Sequence, residues 1–264
     1  MIPKIIHYCW PNEDPIPDDL QKYMDTWHKV LPDYEIMKWD FNRFDKSSSV
    51  WVSQAFDNKK YAFVADYIRL YALYNYGGWY FDTDVEVLKS VDPFLPLKTA
   101  ICWASGENNG LEIAAFGVER GLKWVKDCLE YYDDRKFVLS DGNLDVFPLP
   151  LIVEKQLKMK KYHLPTVHSV EEAKTKEKDE NTIPVLTSDF FSPKNYNTLE
   201  ISCTSNTCMI HHFSATWLSE FDRKCHRMFA KRKKQPLLFF SWYWLVYIPK
   251  YEWKKFLSKI SISS

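Results

Sequence analysis

The chain has 264 residues, 46% of them hydrophobic, and its 35 basic and 35 acidic side chains leave a formal net charge of zero. That composition supports one sizeable core and one main domain, and the absence of any apolar run of 18 residues argues against a membrane-spanning helix. The balanced charge hides an asymmetry: from Arg223 onward there are 11 Lys and Arg against the single acid Glu252. An acidic body followed by a basic tail points to contact between the tail and an anionic surface. The six cysteines (Cys9, Cys102, Cys128, Cys203, Cys208, Cys225) are scattered, and none is paired at metal-ligand spacing. Met1-Ile2-Pro3-Lys4 runs straight into a strand-like segment without a targeting pattern, so the expectation is a cytosolic protein with reduced thiols.

Taken in order, Lys4 to Trp10 is a short β-rich run and the natural first strand. Pro11 to Pro17 forms a loop, and Asp18-Asp19 open a helix that runs to about Val30. Tyr34 to Trp39 alternates as a second strand. Strand, helix, strand is a βαβ unit, which predicts an α/β sheet with a ligand at its carboxyl edge. Val50 to Asn58 predicts a short helix leading into residues 62–88, the stretch around which the chain is organised.

In that stretch Val64, Ile68 and Ala72 recur at helical spacing, as do Leu70 and Leu73, which predicts a largely buried helix. Asp66 and Arg69 lie three apart and share a face. Gly77-Gly78 stops the helix. Trp79-Tyr80-Phe81-Asp82 then alternates as a strand, with Trp79 and Phe81 on one side and Tyr80, Asp82 and, if the chain stays extended, Asp84 on the other. An Asp-x-Asp pair at a strand's carboxyl end suits a hard divalent cation that keeps positions open for phosphate oxygens.

Ser90 to Phe94 turns the chain. Ala100 to Ala104 and Leu111 to Phe116 read as strands around a loop at Gly106–Gly110, and Gly121 to Tyr132 as an amphipathic helix. Asp141-Gly142-Asn143 breaks the chain before a further helix whose start is limited by Pro148 and Pro150. Glu171 to Glu180 is a solvated loop or surface helix. Met209 to Trp217 holds His211 and His212 ahead of Ser214 and Trp217.

In the tail, the basic run Lys231-Arg232-Lys233-Lys234 precedes an apolar and aromatic segment, Leu237 to Ile248. That segment is too short to cross a bilayer and suited to lying in its interface. Packing on the domain and nucleic-acid binding are the alternatives for the tail.

The segments IPKIIHYCW at 2–10, DYEIMKWDFNRFD at 33–45, AFVADYIRLYALYNYGGWYFDTDVEVL at 62–88 and HHFSATW at 211–217 resemble the family 32 glycosyltransferases. This group shares a sugar-binding region containing DXD and includes bacterial capsule enzymes and yeast initiating mannosyltransferases. The glucosylating domains of large clostridial toxins are more distantly similar. The resemblance is dense over the first 90 residues and thin near 211–217, and residues 120–205 carry little of the pattern. Phe147-Pro148-Leu149-Pro150 stands where many bacterial relatives have a Gly-Pro motif.

The resemblance implies a GT-A type, Rossmann-like nucleotide-sugar domain over residues 1–222, with a mostly parallel central sheet flanked by helices. A basic, aromatic helical segment follows over 223–264. It implies a metal-dependent, retaining hexosyltransferase that uses a UDP- or GDP-sugar, Mn²⁺ or Mg²⁺, and a glycan or lipid-linked glycan acceptor in capsule or cell-surface polysaccharide assembly. By the same resemblance Trp10 faces the base and Asn42 the nucleoside. Asp66 and Arg69 hold the sugar, Tyr80 and Trp217 flank the diphosphate, Ser214 is a further substrate-binding residue, and Asn109 lies near the sugar. Asp82 and Asp84 bind the cation with His211, or failing that His212. An imidazole ligand tilts the choice toward Mn²⁺. The tail then places the protein peripherally on the inner membrane leaflet, with no nucleic acid expected. The alternatives are a cation-dependent phosphohydrolase or nuclease using the same acids with Glu86, and a non-catalytic membrane- or partner-binding protein on a transferase fold.

Overall fold

The first βαβ unit forms as expected: β1 (Ile5–Cys9), α1 (Asp18–Val30) and β2 (Glu35–Trp39), with β1 and β2 parallel. The computed structural model describes residues 1–106, 110–215, 218–232 and 234–250. They fall into two units, Met1–Lys194 with Ile201–Ser214, and Asn195–Glu200 with Ala215–Ser264.

In the first unit, α2 (Val50–Asp57) leads into α3 (Tyr61–Tyr76). Its residues Val64, Ile68, Leu70, Ala72 and Leu73 are fully buried, as their spacing predicts. The next strand, β3 (Gly78–Phe81), pairs parallel to β1 on the side away from β2. Further elements are β4 (Val85–Val87), β5 (Thr99–Ala100), β6 (Ala115–Val118), α4 (Lys123–Leu129), α5 (Leu149–Met159), β7 (Thr166–Val167), α6 (Val170–Lys176), β8 (Val185–Leu186) and β9 (Met209–His211).

The main sheet has the order β2-β1-β3-β6-β5. Four strands run the same way and β6 runs against its neighbours β3 and β5, so the sheet is mostly parallel in direction. Residues of α2 to α5 pack with Tyr80 into one core cluster. Those of α1 and α6 pack with Trp79 and Phe81 into the other. Successive β3 side chains therefore point to opposite faces of a sheet with helices on both sides, the α/β architecture expected. All six cysteines are free.

The order 2-1-3 has a functional consequence. The chain leaves β1 toward β2 and later enters β3 on the other flank, so a crevice opens at the carboxyl ends of β1 and β3, where open α/β sheets bind ligands. A neutral histidine braces this junction from inside. Buried His7 accepts from Trp39 Nε1 at Nδ1 (3.0 Å) and bonds the Gly77 carbonyl through Nε2 (2.8 Å). Burial is the main cause that lowers its pKa to about 4, so it acts as an uncharged bracket.

Four details differ from expectation, the first being that the strand expected at 100–104 is confined to Thr99–Ala100, with Cys102 and Trp103 making only isolated bridges. The chain does not stay extended through Asp84: Val85 N–H bonds the Asp82 carbonyl (3.0 Å) and makes residues 82–85 a tight turn. The strand expected at 111–116 is displaced to Ala115–Val118, with Leu111 making only an isolated bridge to Trp103. Residues 112–114 are diverted because their polar groups serve the carboxyl edge, as described below. The helix expected over 121–132 ends in a 3₁₀ turn at Glu130–Tyr132.

Gly78 is needed for two reasons. Its φ is +97°, and an added Cβ would stand 2.6 Å from the Ile5 carbonyl oxygen. Gly121, at φ +80°, has nothing within 4 Å of that position. Gly121→Ala should therefore cost about 1–2 kcal/mol of conformational energy alone. Gly78→Ala should cost at least roughly twice as much, because backbone atoms must also move. Urea denaturation of the two variants measures the difference.

Candidate functional site

Sheet topology gathers acids from distant parts of the chain at the β1–β3 crevice. Asp82 follows β3 directly, and the turn at 82–85 swings Asp84 back beside it. The chain then enters β4, which pairs antiparallel with β9 in the register Val85↔His211. Because Val85 immediately follows Asp84, this register brings His211 from 127 residues downstream to the acid pair. The His212 N–H bonding the Asp84 carbonyl (3.0 Å) extends the ladder. One ligand atom each from Asp82, Asp84 and His211 lie within 4.8 Å of one another.

The antiparallel course of β6 supplies the rest. Its first residue, Ala115, pairs with Phe81, so residues 112–114 arrive at the same edge as Asp82. The Asp82 N–H bonds the Ala114 carbonyl (2.8 Å). Buried Glu112 turns inward, accepting from Ser192 Oγ (2.6 Å) and the Ala114 N–H (2.9 Å) and meeting His211 Nδ1 at 3.2 Å. With Nδ1 occupied by Glu112, His211 presents Nε2 to Asp84 Oδ1 at 3.5 Å. Burial opposes charge on this imidazole, but Glu112 and Asp84 outweigh it and raise the pKa to about 9. Glu112 stays ionised, its burial overcome by His211 and by its hydrogen bonds, and its pKa lies below the ordinary value.

Asp84 is buried and held from a second direction. The Ser214 N–H donates to its Oδ2 at 2.6 Å. Ser214 lies between Phe213 and Ala215, both with φ near +50°, a sparsely populated backbone state at a place where the amide must face inward. Half-buried Lys194 donates to the His212 carbonyl (2.6 Å), and its pKa falls below the usual value through burial, against the pull of Asp84.

Arg69 ties the other acids together. Its guanidinium is buried, donates to the Ile113 carbonyl and to Asp82 Oδ1 (3.0 Å), and approaches Asp66 at 3.8 Å. It also stacks 4.4 Å from the centre of the Tyr80 ring. Burial raises the pKa of Asp66 to about 7 against the opposing charge of Arg69, and raises that of Asp82 as well.

The predicted residues thus divide. Asp66, Arg69, Asp82, Asp84 and His211 converge. His212 does not join them: its Nε2 pairs with Glu86 (2.8 Å) and its ring stacks on Tyr23. Tyr80 is only 1% exposed and lies beneath Arg69, which corrects the expectation that it flanks a diphosphate. The buried Arg69 likewise spends both of its hydrogen bonds within the protein, on Asp82 and the Ile113 carbonyl, so it positions Asp82. Ser214 contributes its backbone amide to Asp84.

Trp10, half-buried at the end of β1, donates from Nε1 to the Asp14 carbonyl (2.7 Å). Asn42 is exposed beyond β2, in a shallow depression with Lys38, Asp40, Arg43 and Tyr76. Asn109 and Trp217 lie outside the described residues. Glu112 and Lys194 were missed. A lone acid inside the apolar run Leu111 to Phe116 was a signal for Glu112, whereas nothing around Lys194 marked it.

Two carboxylates and one imidazole oriented by a buried acid are a donor set that suits a divalent cation. Residues 17–100 match the family model described as "Glycosyltransferase sugar-binding region containing DXD motif", the family that the motifs resemble. Two relatives are "Inositol phosphoceramide mannosyltransferase 3" of Schizosaccharomyces pombe and "Mannosyl phosphorylinositol ceramide synthase SUR1" of Saccharomyces cerevisiae. The first is 34% identical over 98 residues, 36% of this chain and 27% of that protein. The second is 35% identical over 99 residues, 36% of this chain and 26% of that protein. The match therefore spans about a quarter of those relatives' length. Among solved structures, the "PaToxG Glycosyltransferase" aligns with 60% of this chain and 69% of its own, at 20% identity and a TM-score of 0.43.

The electrostatics give a sign that can be checked. A histidine whose pKa rises on folding from about 6.5 to about 9 contributes stability that is fully present below the unfolded value and lost as pH rises through the folded one. The destabilisation caused by His211→Gln in metal-free protein should therefore be larger at about pH 6 than above about pH 9. In the wild type the His211 imidazole should titrate near 9 by NMR, and Glu112→Gln should lower that midpoint. An unshifted midpoint would remove Glu112 as the orienting acid.

Proposed function

We propose that this chain is a cation-dependent glycosyltransferase that moves a sugar from a nucleotide-diphosphate sugar to an acceptor hydroxyl. One observation carries the proposal: Asp82, Asp84 and His211 meet at the switch-point crevice, inside and beside the stretch that matches the DXD family. These three would hold the cation, and Mn²⁺ suits their mixed oxygen and nitrogen donors better than Mg²⁺. When bound, such a cation neutralises charge on the departing diphosphate.

The chain's own groups then have separable tasks. Glu112 fixes the His211 tautomer so that Nε2 faces the acids. The Ser214 amide and the β4–β9 register hold Asp84. Arg69 supplies a permanent buried positive charge that keeps Asp82 in place. Asp66, with its carboxyl pKa near 7 and its side chain partly open, is placed to hydrogen-bond a sugar hydroxyl as acceptor or donor. Trp10 offers an aromatic face at the end of β1 for the base. Transfer with retention, with the leaving phosphate taking the acceptor proton, is proposed by family analogy alone.

The named relatives are mannosyltransferases acting on a ceramide phosphoinositol. That supports putting mannosyl donors first and a lipid-borne polyol or saccharide acceptor ahead of a capsule chain. The phosphohydrolase alternative needs further clustered acids. Glu86 is instead engaged by His212, Glu112 by Ser192 and His211, and Asp66 by Arg69, so among the described residues the group able to hold a metal is two acids and one histidine, Asp82, Asp84 and His211.

Calorimetry with a panel of UDP- and GDP-sugars, with and without Mn²⁺, tests the proposal. One sugar nucleotide should bind with metal dependence. Asp84→Asn should abolish that binding and lower transfer by about a hundredfold or more while leaving the urea midpoint near that of the wild type. Near-normal transfer by Asp84→Asn would refute the cation role. Consumption of plain nucleotide or nucleic acid in place of sugar nucleotide would favour the hydrolase.

A further inference from the structure

The second unit contains α7 (Glu220–Lys231) and α8 (Pro236–Trp242), the latter continued by a π-helical turn at Tyr243–Tyr247 and by helical residues to 250. One side of this second helix has a partner. Phe239, Trp242, Tyr243 and Tyr247 recur at helical spacing and surround Phe229 of α7, with ring centres 5.2 to 6.4 Å away. The opposite side is equally apolar and open. Leu237 is 84% exposed, Leu245 78%, Phe240 63%, and Trp244 and Leu238 56% each. Of the 17 large apolar side chains exposed among the described residues, six fall within residues 237–246. A helix that is apolar all round is ordinarily buried, so this concentration marks a docking face.

Charge and length identify what covers it. On α7, exposed Lys224, Arg227 and Lys231 line up with Glu220 on the side opposite Phe229, so that stripe points away from the apolar face. Arg232, Lys234 and Lys250 flank the apolar segment and are also exposed. The helical stretch from 236 to 250 is about 22 Å long, well short of a hydrocarbon core of about 30 Å. Among the described residues no helix is long and apolar enough to cross a membrane. Leu, Phe and Trp on one face with Lys and Arg at its two ends is the chemistry of a segment that lies in the headgroup layer.

We infer that the Leu237–Leu245 face binds the interface of an anionic lipid bilayer without spanning it, and that the cations at its ends, Arg232, Lys234 and Lys250, supply the attraction to charged headgroups. This inference is independent of the proposed transferase chemistry, because it concerns the second unit alone.

Co-sedimentation of the full chain with phosphatidylcholine vesicles, with and without phosphatidylglycerol, tests it. The wild type should bind the anionic vesicles more tightly, and less so at high salt. Leu237→Gln with Leu245→Gln should weaken binding to both vesicle types by about tenfold or more. Arg232→Gln, Lys234→Gln and Lys250→Gln together should abolish the preference for anionic vesicles, at about fivefold per residue. Unchanged melting temperatures would show that each variant is folded. Failure of the wild type to bind anionic vesicles, or unchanged binding by the Leu variant, overturns the inference. So does a wild-type dimer that the Leu substitutions dissociate without any vesicle binding, since a second copy would then cover the face.

Discussion

A buried guanidinium makes the rest of the site possible. Four carboxylates, Asp66, Asp82, Asp84 and Glu112, share the carboxyl edge of the sheet, and burying that much like charge is tolerated only with compensation. Arg69 provides part of it permanently: it is on a buried face of α3, its positive charge is not lost at any physiological pH, and its planar donors reach Asp82 and the Ile113 carbonyl together. The same contacts pull residues 112–114 out of the β6 ladder. Irregular backbone before β6 and positive charge stacked on Tyr80 of β3 are therefore two sides of one arrangement.

His211 provides the remaining compensation, and it does so in a way that can be exchanged. Between Glu112 and Asp84 the imidazole is held as a cation in metal-free protein. A divalent ion bound to Nε2 requires that proton to leave, so ion binding and deprotonation are coupled. His7, fully buried, shows the opposite behaviour because its partners are a neutral carbonyl and an indole N–H, and it stays uncharged. Burial lowers both histidine pKa values, and only the acids beside His211 reverse the effect.

Much of the site was legible in the linear pattern. Asp66 and Arg69 share a helical face whatever surrounds them, Gly77-Gly78 ends the helix where the chain must turn, and Asp-Thr-Asp follows an aromatic strand. The resemblance over residues 2–10, 33–45 and 62–88 pointed to the family that residues 17–100 match. The choice between adjacent histidines came from the resemblance, which put His211 first, and not from the residues themselves. His211 and His212 have the same neighbours in sequence, and strand alternation sends one to the acids and the other to Glu86 and Tyr23.

The sequence by itself determined the elements whose causes are local: the first βαβ unit, the buried α3, its glycine stop, the acidic pair and the basic, aromatic tail. Helical and strand periodicity and turn chemistry act over a few residues, so they can be read without a partner. Tertiary structure alone decided that Tyr80 supports Arg69 from below, that Asp84 sits in a turn, and that Glu112 and Lys194 belong to the site. Each of these depends on strand order and on the β4–β9 register, which join segments up to 127 residues apart. Those pairings are set by burial of whole sheet faces, and no short stretch of sequence records them.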